Sequence, residues 1–318
     1  MRRSVVAGVG GYLPPKILTN ADLEKMVDTS DAWIRERTGI VERHIAEGEL
    51  TSDMAVKAAR TALDAVGLAA ADVDMIIVAT TTPDETLPAT AVIVQKKLGA
   101  HKAFAFDMQA VCGGFVYALA VADNFIKAGQ ARTALVIGAE TMSKIVDWTD
   151  RNTCVLFGDG AGAFVLRAET DADRGILDVV LHSDGRYHDL LKATGGVAST
   201  QTAGTIRMSG RDVFRHGVEK LSEVVSEILA KNALDVGEID WFVPHQANAR
   251  IIEAVAGKVH VGADNVIFTL DRHGNTSAAS IPLAVADGVR SGKIKPGDLI
   301  LLDALGAGFS WGAALIRM

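Results

Sequence analysis

Apolar residues fall in two rhythms along this chain. MIIVATT (75–81) and ALVIGA (134–139) are unbroken apolar runs of strand length, the pattern of strands buried on both faces. Met54, Ala58, Leu63 and Val66 instead recur near helical spacing. Across 212–232, Phe214, Val218, Leu221, Val225 and Leu229 predict one face of a longer helix. VVAGVGGYLP, near the start, predicts a first strand ending in a turn. Strands therefore alternate with helices, an α/β pattern.

The pattern is written twice. ALDAVGLAAADVDMIIV (62–78) lies on ILAKNALDVGEIDWFVP (228–244) at an offset of 166, and ALVIGAE (134–140) lies on LILLDAL (299–305) at 165. FAFDMQAVCGGF (104–115) lies on FTLDRHGNTSAA (268–279) at 164, pairing Asp107 with Asp271 and Cys112 with Thr276. AGAFVL (161–166) and WGAALI (311–316) are only 150 apart, so about fifteen extra residues fall within roughly 141–157 of the first half. Two duplicated halves are expected, 1–170 and 171–318, each a helix-covered sheet, with equivalent loops facing one cleft.

The chain of 318 residues is long enough for a large core, and 49% hydrophobic with 22% charged residues is ordinary for a globular protein. A net charge of −7 argues against general nucleic-acid binding. The apolar run after Arg3 is too short for a signal peptide, and no run reaches the roughly 18 residues of a membrane span. Cys112 and Cys154 imply no disulfide framework, so a soluble cytoplasmic protein is expected.

Cys112 carries the chemistry. It stands where a strand-like run breaks into small residues and a helix-like run follows, so the thiol is expected at a helix N-terminus, which favours thiolate. Gly113 and Gly114 allow close approach of a substrate. Cys154, in RNTCVLF, alternates like a mid-strand residue and is read as structural. Of eight histidines, His245 closes the apolar run WFVP, and His273 in DRHGN ranks second. Asn275 occupies the loop matched to that of Cys112. Cys, His and Asn together point to acyl transfer through a thioester. The turn Gly306, Ala307, Gly308 can offer a main-chain N–H which, with the Cys112 amide, would form an oxyanion hole. Arg207, Arg211 and Arg215 step by four and would form a basic stripe if helical, either a solvated face or a meeting point for an anionic carrier. No His-x-x-x-His or Cys-x-x-Cys spacing suggests a metal.

TNADLEKMVDTSDAWIRERTGIVERHI (19–45), the Cys112 loop, TDRNTCVLFGDGAGA (149–163), VPHQANARII (243–252), DRHGNTSAASIP and GAGFSWGAALIRM follow one another as in one family. Along nearly its whole length the chain resembles β-ketoacyl-acyl-carrier-protein synthase III, the condensing enzyme that starts bacterial type II fatty acid synthesis. The resemblance implies a thiolase-like fold, five-layered αβαβα, in a homodimer. It implies a Cys112, His245 and Asn275 triad that takes a starter acyl group, acetyl by expectation, from acyl-CoA and condenses it with malonyl-acyl carrier protein. The Cys112 and Ala307 amides would hold the oxyanion, and no metal or cofactor is implied. Trp33 and Arg37 match positions that hold the CoA adenine, Arg151 one at the nucleotide and phosphates. Phe214, Ala247 and Asn248 match the pantetheine tunnel, and Arg215 and Arg250 match carrier-docking positions.

Three positions depart from the family. Ala307 stands where the middle residue of the turn is often Gly, and Asn152 where Gly often follows the CoA-binding arginine. Leu87 stands where an aromatic residue often closes the acyl pocket across the dimer, which leaves room for a longer or branched starter. The competing readings are a polyketide-synthase-like acyl-CoA condensing enzyme and a Cys-His-Asn thioester hydrolase.

Overall fold

A computed structural model describes residues 2–170 and 173–318. Its first sheet runs in the order Arg2–Tyr12, Asp159–Thr170, Thr133–Thr141, Met75–Ala79, Phe104–Met108. Its second runs Gly175–Ser183, Ser310–Arg317, Leu299–Gly306, Trp241–Pro244. Order and strand direction agree: in each sheet the first three strands pair antiparallel and the next pair is parallel. Among the described residues the fifth strand, Phe104–Met108, has no full counterpart. A parallel bridge between Phe242 and Val266 stands in its place.

The unbroken apolar runs are strands with both faces covered, as their pattern predicts. In Met75–Ala79, residues Met75, Ile77 and Ala79 face the central layer with Phe115 and Leu119, while Ile76 and Val78 pack with Met54, Ala58 and Ala62 on the outer side. Ile300, Leu302 and Ala304 likewise face the centre, and Leu299, Leu301 and Leu305 face outward to Leu221, Val225 and Ile228. Helices Gly114–Lys127 and Ser280–Arg290 fill the layer between the sheets. Thr51–Asp64 and Thr90–Leu98 cover one outside, Gly210–Lys231 and Ala249–Lys258 the other. This is the expected five-layered arrangement. Its tightness depends on glycine: a Cβ on Gly138 would sit 2.2 Å from the Ala278 carbonyl oxygen, so no side chain fits where that turn meets the sheet.

The extra segment of the first half lies between Thr141 and Asp159, where the second half turns through Ala307, Gly308 and Phe309 alone. Cys154 belongs to this segment. It lies in a turn and not mid-strand, fully buried among Ile34, Ile40 and Leu270, because the alternation of TCVLF packs a loop against the core. The predicted helix spans Gly210–Lys231, and Arg207 lies before it on the short strand Ile206–Met208, paired with Asp147 at 2.9 Å. The basic stripe thus reduces to Arg211 and Arg215. The expected division between 170 and 171 falls where residues 171 and 172 lie outside the described ones.

The duplication register also needs correction at the site. Val111 and Ser277 both have positive φ, 49° and 52°, and each opens a single turn, Val111–Gly113 and Ser277–Ala279, followed by a helix at Gly114 and Ser280. These features are 166 residues apart, so the counterpart of Cys112 is Ala278 and not Thr276. The short helix Leu270–His273 and the loop after it hold two more residues than the path from Asp107 to Val111.

Candidate active site

Cys112 sits on the first of these two elbows. A branched residue such as Val111 is strained at positive φ, and that geometry turns the chain abruptly from strand edge to helix. The thiol is buried at one side of a cavity of about 680 Å³, which His245 and Asn275 also line. Three distant stretches of chain supply these three side chains.

Backbone contacts fix each of them. His245 follows the strand Trp241–Pro244, its N–H donating to the Asp303 carbonyl oxygen at 2.8 Å. Its Nδ1 lies 2.6 Å from the Ser280 Oγ. Burial pushes the imidazole down to about 3, so it is neutral at pH 7. The Asn275 N–H donates to the Leu156 carbonyl at 2.9 Å, and the Asn275 carbonyl accepts from Gly158 N–H at 3.0 Å. Its Oδ1 accepts from Ser277 N–H at 2.9 Å, which leaves the Nδ2 hydrogens to give. His273, the rival, lines a separate cavity with Gly10, Tyr12 and Arg290.

The turn at 306–308 reaches the Cys112 loop closely. A Cβ on Gly306 would lie 2.4 Å from the Ala110 carbonyl oxygen and 2.9 Å from the Cys112 nitrogen, so glycine is required there. Half-buried Ala307 follows next in the turn, and its methyl group does not remove its N–H.

Sequence reasoning missed Glu140. Fully buried at the end of Thr133–Thr141, its Oε2 accepts from Thr81 N–H at 3.0 Å, Thr82 N–H at 3.1 Å, the Thr82 hydroxyl at 2.6 Å and the Thr80 hydroxyl at 3.3 Å. Its Oε1 accepts from the Ser277 hydroxyl at 3.0 Å. Burial raises the Glu140 carboxyl above the usual range, against those hydrogen bonds. The signal was a charged residue closing an apolar strand. The Cys112 thiol is pushed up to about 12, chiefly by burial, with Glu140 adding to the shift and the Ser277 hydroxyl opposing it. The expected thiolate is therefore not the resting form. The helix start is where it was expected, but burial, with Glu140 beside it, outweighs the helix end.

Asp303, under His245 on the neighbouring strand, is fully buried, and burial pushes its carboxyl up to about 8, partly offset by the His245 amide. Between about pH 4 and 8 the unfolded chain ionises this group while the folded chain holds its proton, so stability falls as pH rises. Asp303→Asn should cancel that loss. Its melting temperature relative to the parent is expected to climb between about pH 5 and 8.5; a difference independent of pH would contradict a protonated Asp303.

At the mouth, Trp33, Arg37, Asn152, Phe214, Ala247, Asn248 and Arg250 line the cavity. The Arg151 guanidinium lies over the Trp33 ring at 5.1 Å and donates to the Asp28 carbonyl at 2.8 Å. Arg250 lies over Phe214 at 5.8 Å. Arg215 is not among the lining residues and pairs with Asp212 at 3.2 Å, whereas Arg211 does line the cavity. Leu87 lies outside it and is 77% exposed. Its loop is anchored beyond by Thr90 and Ala91, whose N–H groups each donate to the Asp107 carboxylate at 2.7 Å.

Two family signatures match this chain: 3-oxoacyl-(acyl-carrier-protein) synthase III over residues 106–185, and the C-terminal region of the same enzyme over 229–318. A β-ketoacyl-(acyl-carrier-protein) synthase III of Rhodospirillum centenum is 62% identical over 319 residues, covering 99% of each chain. The chain belongs to the β-ketoacyl-(acyl-carrier-protein) synthase III family. A solved synthase III of Aquifex aeolicus superposes with a TM-score of 0.95 at 47% identity, covering 99% of this chain and 100% of that one. The priming β-ketosynthase of the R1128 polyketide biosynthetic pathway superposes with a TM-score of 0.94 at 36% identity, covering 99% of this chain and 97% of that one. Synthase III family membership thus extends over the full length, elbows and cavity included.

Proposed function

We propose that this protein transfers a starter acyl group from acyl-CoA to Cys112 and condenses it with malonyl-acyl carrier protein, the reaction that initiates fatty acid synthesis. One observation carries the reading: a single cavity joins a buried thiol, a neutral imidazole and an amide whose oxygen is already occupied. The half 1–170 supplies the nucleophile and 171–318 the two donors. In the first step the Cys112 sulfur bonds to the thioester carbon, the carbon–sulfur bond to CoA breaks, and the thiol proton ends on CoA. The amides of Cys112 and Ala307 would stabilise the tetrahedral oxyanion. In the second, malonyl thioester loses CO₂, and the electron pair left behind attacks the acyl carbon as Cys112 departs. His245 and Asn275 donate to the thioester oxygen while it carries the enolate charge. Neutral donors suit this step, since they surrender no proton. No metal or cofactor is called for.

Trp33, Arg37 and Arg151 are proposed to hold the nucleotide end of CoA, the aromatic and cationic groups matching adenine and phosphates. Phe214, Ala247 and Asn248 would line the pantetheine path. Arg215 and Arg250 are proposed for carrier docking, and Leu87 for the acyl pocket of a neighbouring copy. A homodimer is supported by the apolar edge strand Phe104–Met108 and by the exposure of Phe104 and Leu87. Both cysteines are free, as suits a cytoplasmic protein.

The test compares acceptors. Condensation is expected to prefer malonyl-carrier protein over malonyl-CoA, and Arg250→Glu should raise KM for the carrier about five- to tenfold with KM for acyl-CoA little changed. Preference for malonyl-CoA would make the protein a polyketide-type condensing enzyme. Free acid released without a carbon–carbon bond would make it a hydrolase.

A further inference from the structure

Ser280 is the first residue of the central helix Ser280–Arg290 and is 2% exposed. Its Oγ has two partners among the described residues: His245 Nδ1 at 2.6 Å and the backbone N–H of Gln246 at 3.3 Å. The Gln246 group can only donate. The serine oxygen therefore accepts there and has its own proton to place, and Nδ1 is the acceptor within reach. A proton on Nδ1 would set two donors against one hydroxyl and leave the serine hydrogen without a partner among the described residues, which is unfavourable for a buried group.

The hydroxyl is not a requirement of the fold. Ala279 caps this helix without a side-chain hydrogen bond, and Gly114 stands at the equivalent start of the nucleophile helix. Only the half that faces His245 carries a hydroxyl at this point. The helix start also presents the positive end of its dipole, which disfavours an imidazolium there. Both effects favour one neutral form of the ring.

We infer that Ser280 is a positioning residue that holds His245 in the Nε2–H tautomer, so that the imidazole donates a hydrogen bond into the cavity. The inference deepens the proposed reaction, in which His245 acts as a donor to the thioester oxygen. In the other tautomer Nε2 would present a lone pair to that oxygen and would repel the developing enolate. No proton is transferred in this arrangement; serine gives a hydrogen bond to Nδ1 and keeps its hydrogen.

The tautomer can be read directly by long-range ¹H–¹⁵N correlation on the full-length protein labelled at histidine, with the His245 signals assigned by their loss in His245→Ala. An acceptor-type Nδ1 and a protonated, pyrrole-type Nε2 are expected in the parent. Ser280→Ala should move both resonances towards the other form and slow malonyl decarboxylation about 10- to 100-fold, while acylation of Cys112 by acyl-CoA stays within about threefold. Ser280→Thr, which keeps the hydroxyl, should restore the parent tautomer and most of the decarboxylation. A protonated Nδ1 in the parent overturns the inference without any variant. Unchanged resonances in Ser280→Ala, or equal loss of both half-reactions with a lowered melting temperature, would assign the serine to packing alone. Because the tautomer is measured without turnover, its outcome is separable from that of the proposed reaction, which fails instead if Cys112 is never acylated.

Discussion

Cys112→Ala is expected to carry no acyl increment on intact-protein mass spectrometry after incubation with acyl-CoA, where the parent gains one acyl group. Condensation should fall by on the order of 10⁴- to 10⁶-fold, the scale at which loss of a nucleophile leaves only binding and oxyanion contacts. The reason is positional. The other cysteine, Cys154, is fully buried in the loop between Thr141 and Asp159 and is absent from the cavity lining. An increment that persists in Cys112→Ala would move the nucleophile to Cys154 and dismantle the proposed site. The parent assay should also show a steep pH dependence of acylation, since a thiol pushed up to about 12 is protonated at neutral pH and its thiolate fraction grows with pH.

The second large effect separates the half-reactions. His245→Ala and Asn275→Ala should each slow malonyl decarboxylation about 10²- to 10³-fold, the usual consequence of deleting one preorganised donor to a developing oxyanion. Acylation should fall no more than about tenfold, because the oxyanion of that step is assigned to main-chain amides that neither substitution removes. Single-turnover measurements resolve the two. Equal losses in both would mean that His245 serves Cys112 as a base, a part for which an imidazole pushed down to about 3 is poorly suited.

Much of this architecture was legible in the residues. The strands announced themselves because both their faces are buried, so Met75–Ala79 and Thr133–Thr141 read as unbroken apolar runs. The duplication was visible for the same reason: a buried strand tolerates few alternatives, and its copy stays recognisable. Register was lost where burial stopped constraining it. Between Asp271 and Ser277 the two added residues lie in a loop without apolar rhythm, so Cys112 was set against Thr276 in place of Ala278. Arg207 kept the spacing of a helix but preceded its first residue, Gly210. Glu140, Ser277 and Ser280 escaped because their meaning lies in pairing across the chain. Glu140 meets Ser277 and Ser280 meets His245, contacts that no local pattern encodes. Cys112 and His245 could be singled out because each stands at the end of a predictable strand, and Asn275 because its loop matches that of Cys112 in the duplication.

Glu140 has a practical consequence. Its carboxyl group grips Thr80, Thr81 and Thr82, and half-buried Asp107 grips Thr90 and Ala91, so the stretch 83–89 that bears Leu87 leaves the core and re-enters it through two acidic clamps. That makes the stretch a cassette, tied to the fold also by Asp84, which accepts from the Ser52 N–H at 2.9 Å. If Leu87 has its proposed place in the acyl pocket of a neighbouring copy, an exchange of the stretch that keeps Asp84 should change the starter accepted while leaving the elbow, the imidazole and the amide untouched.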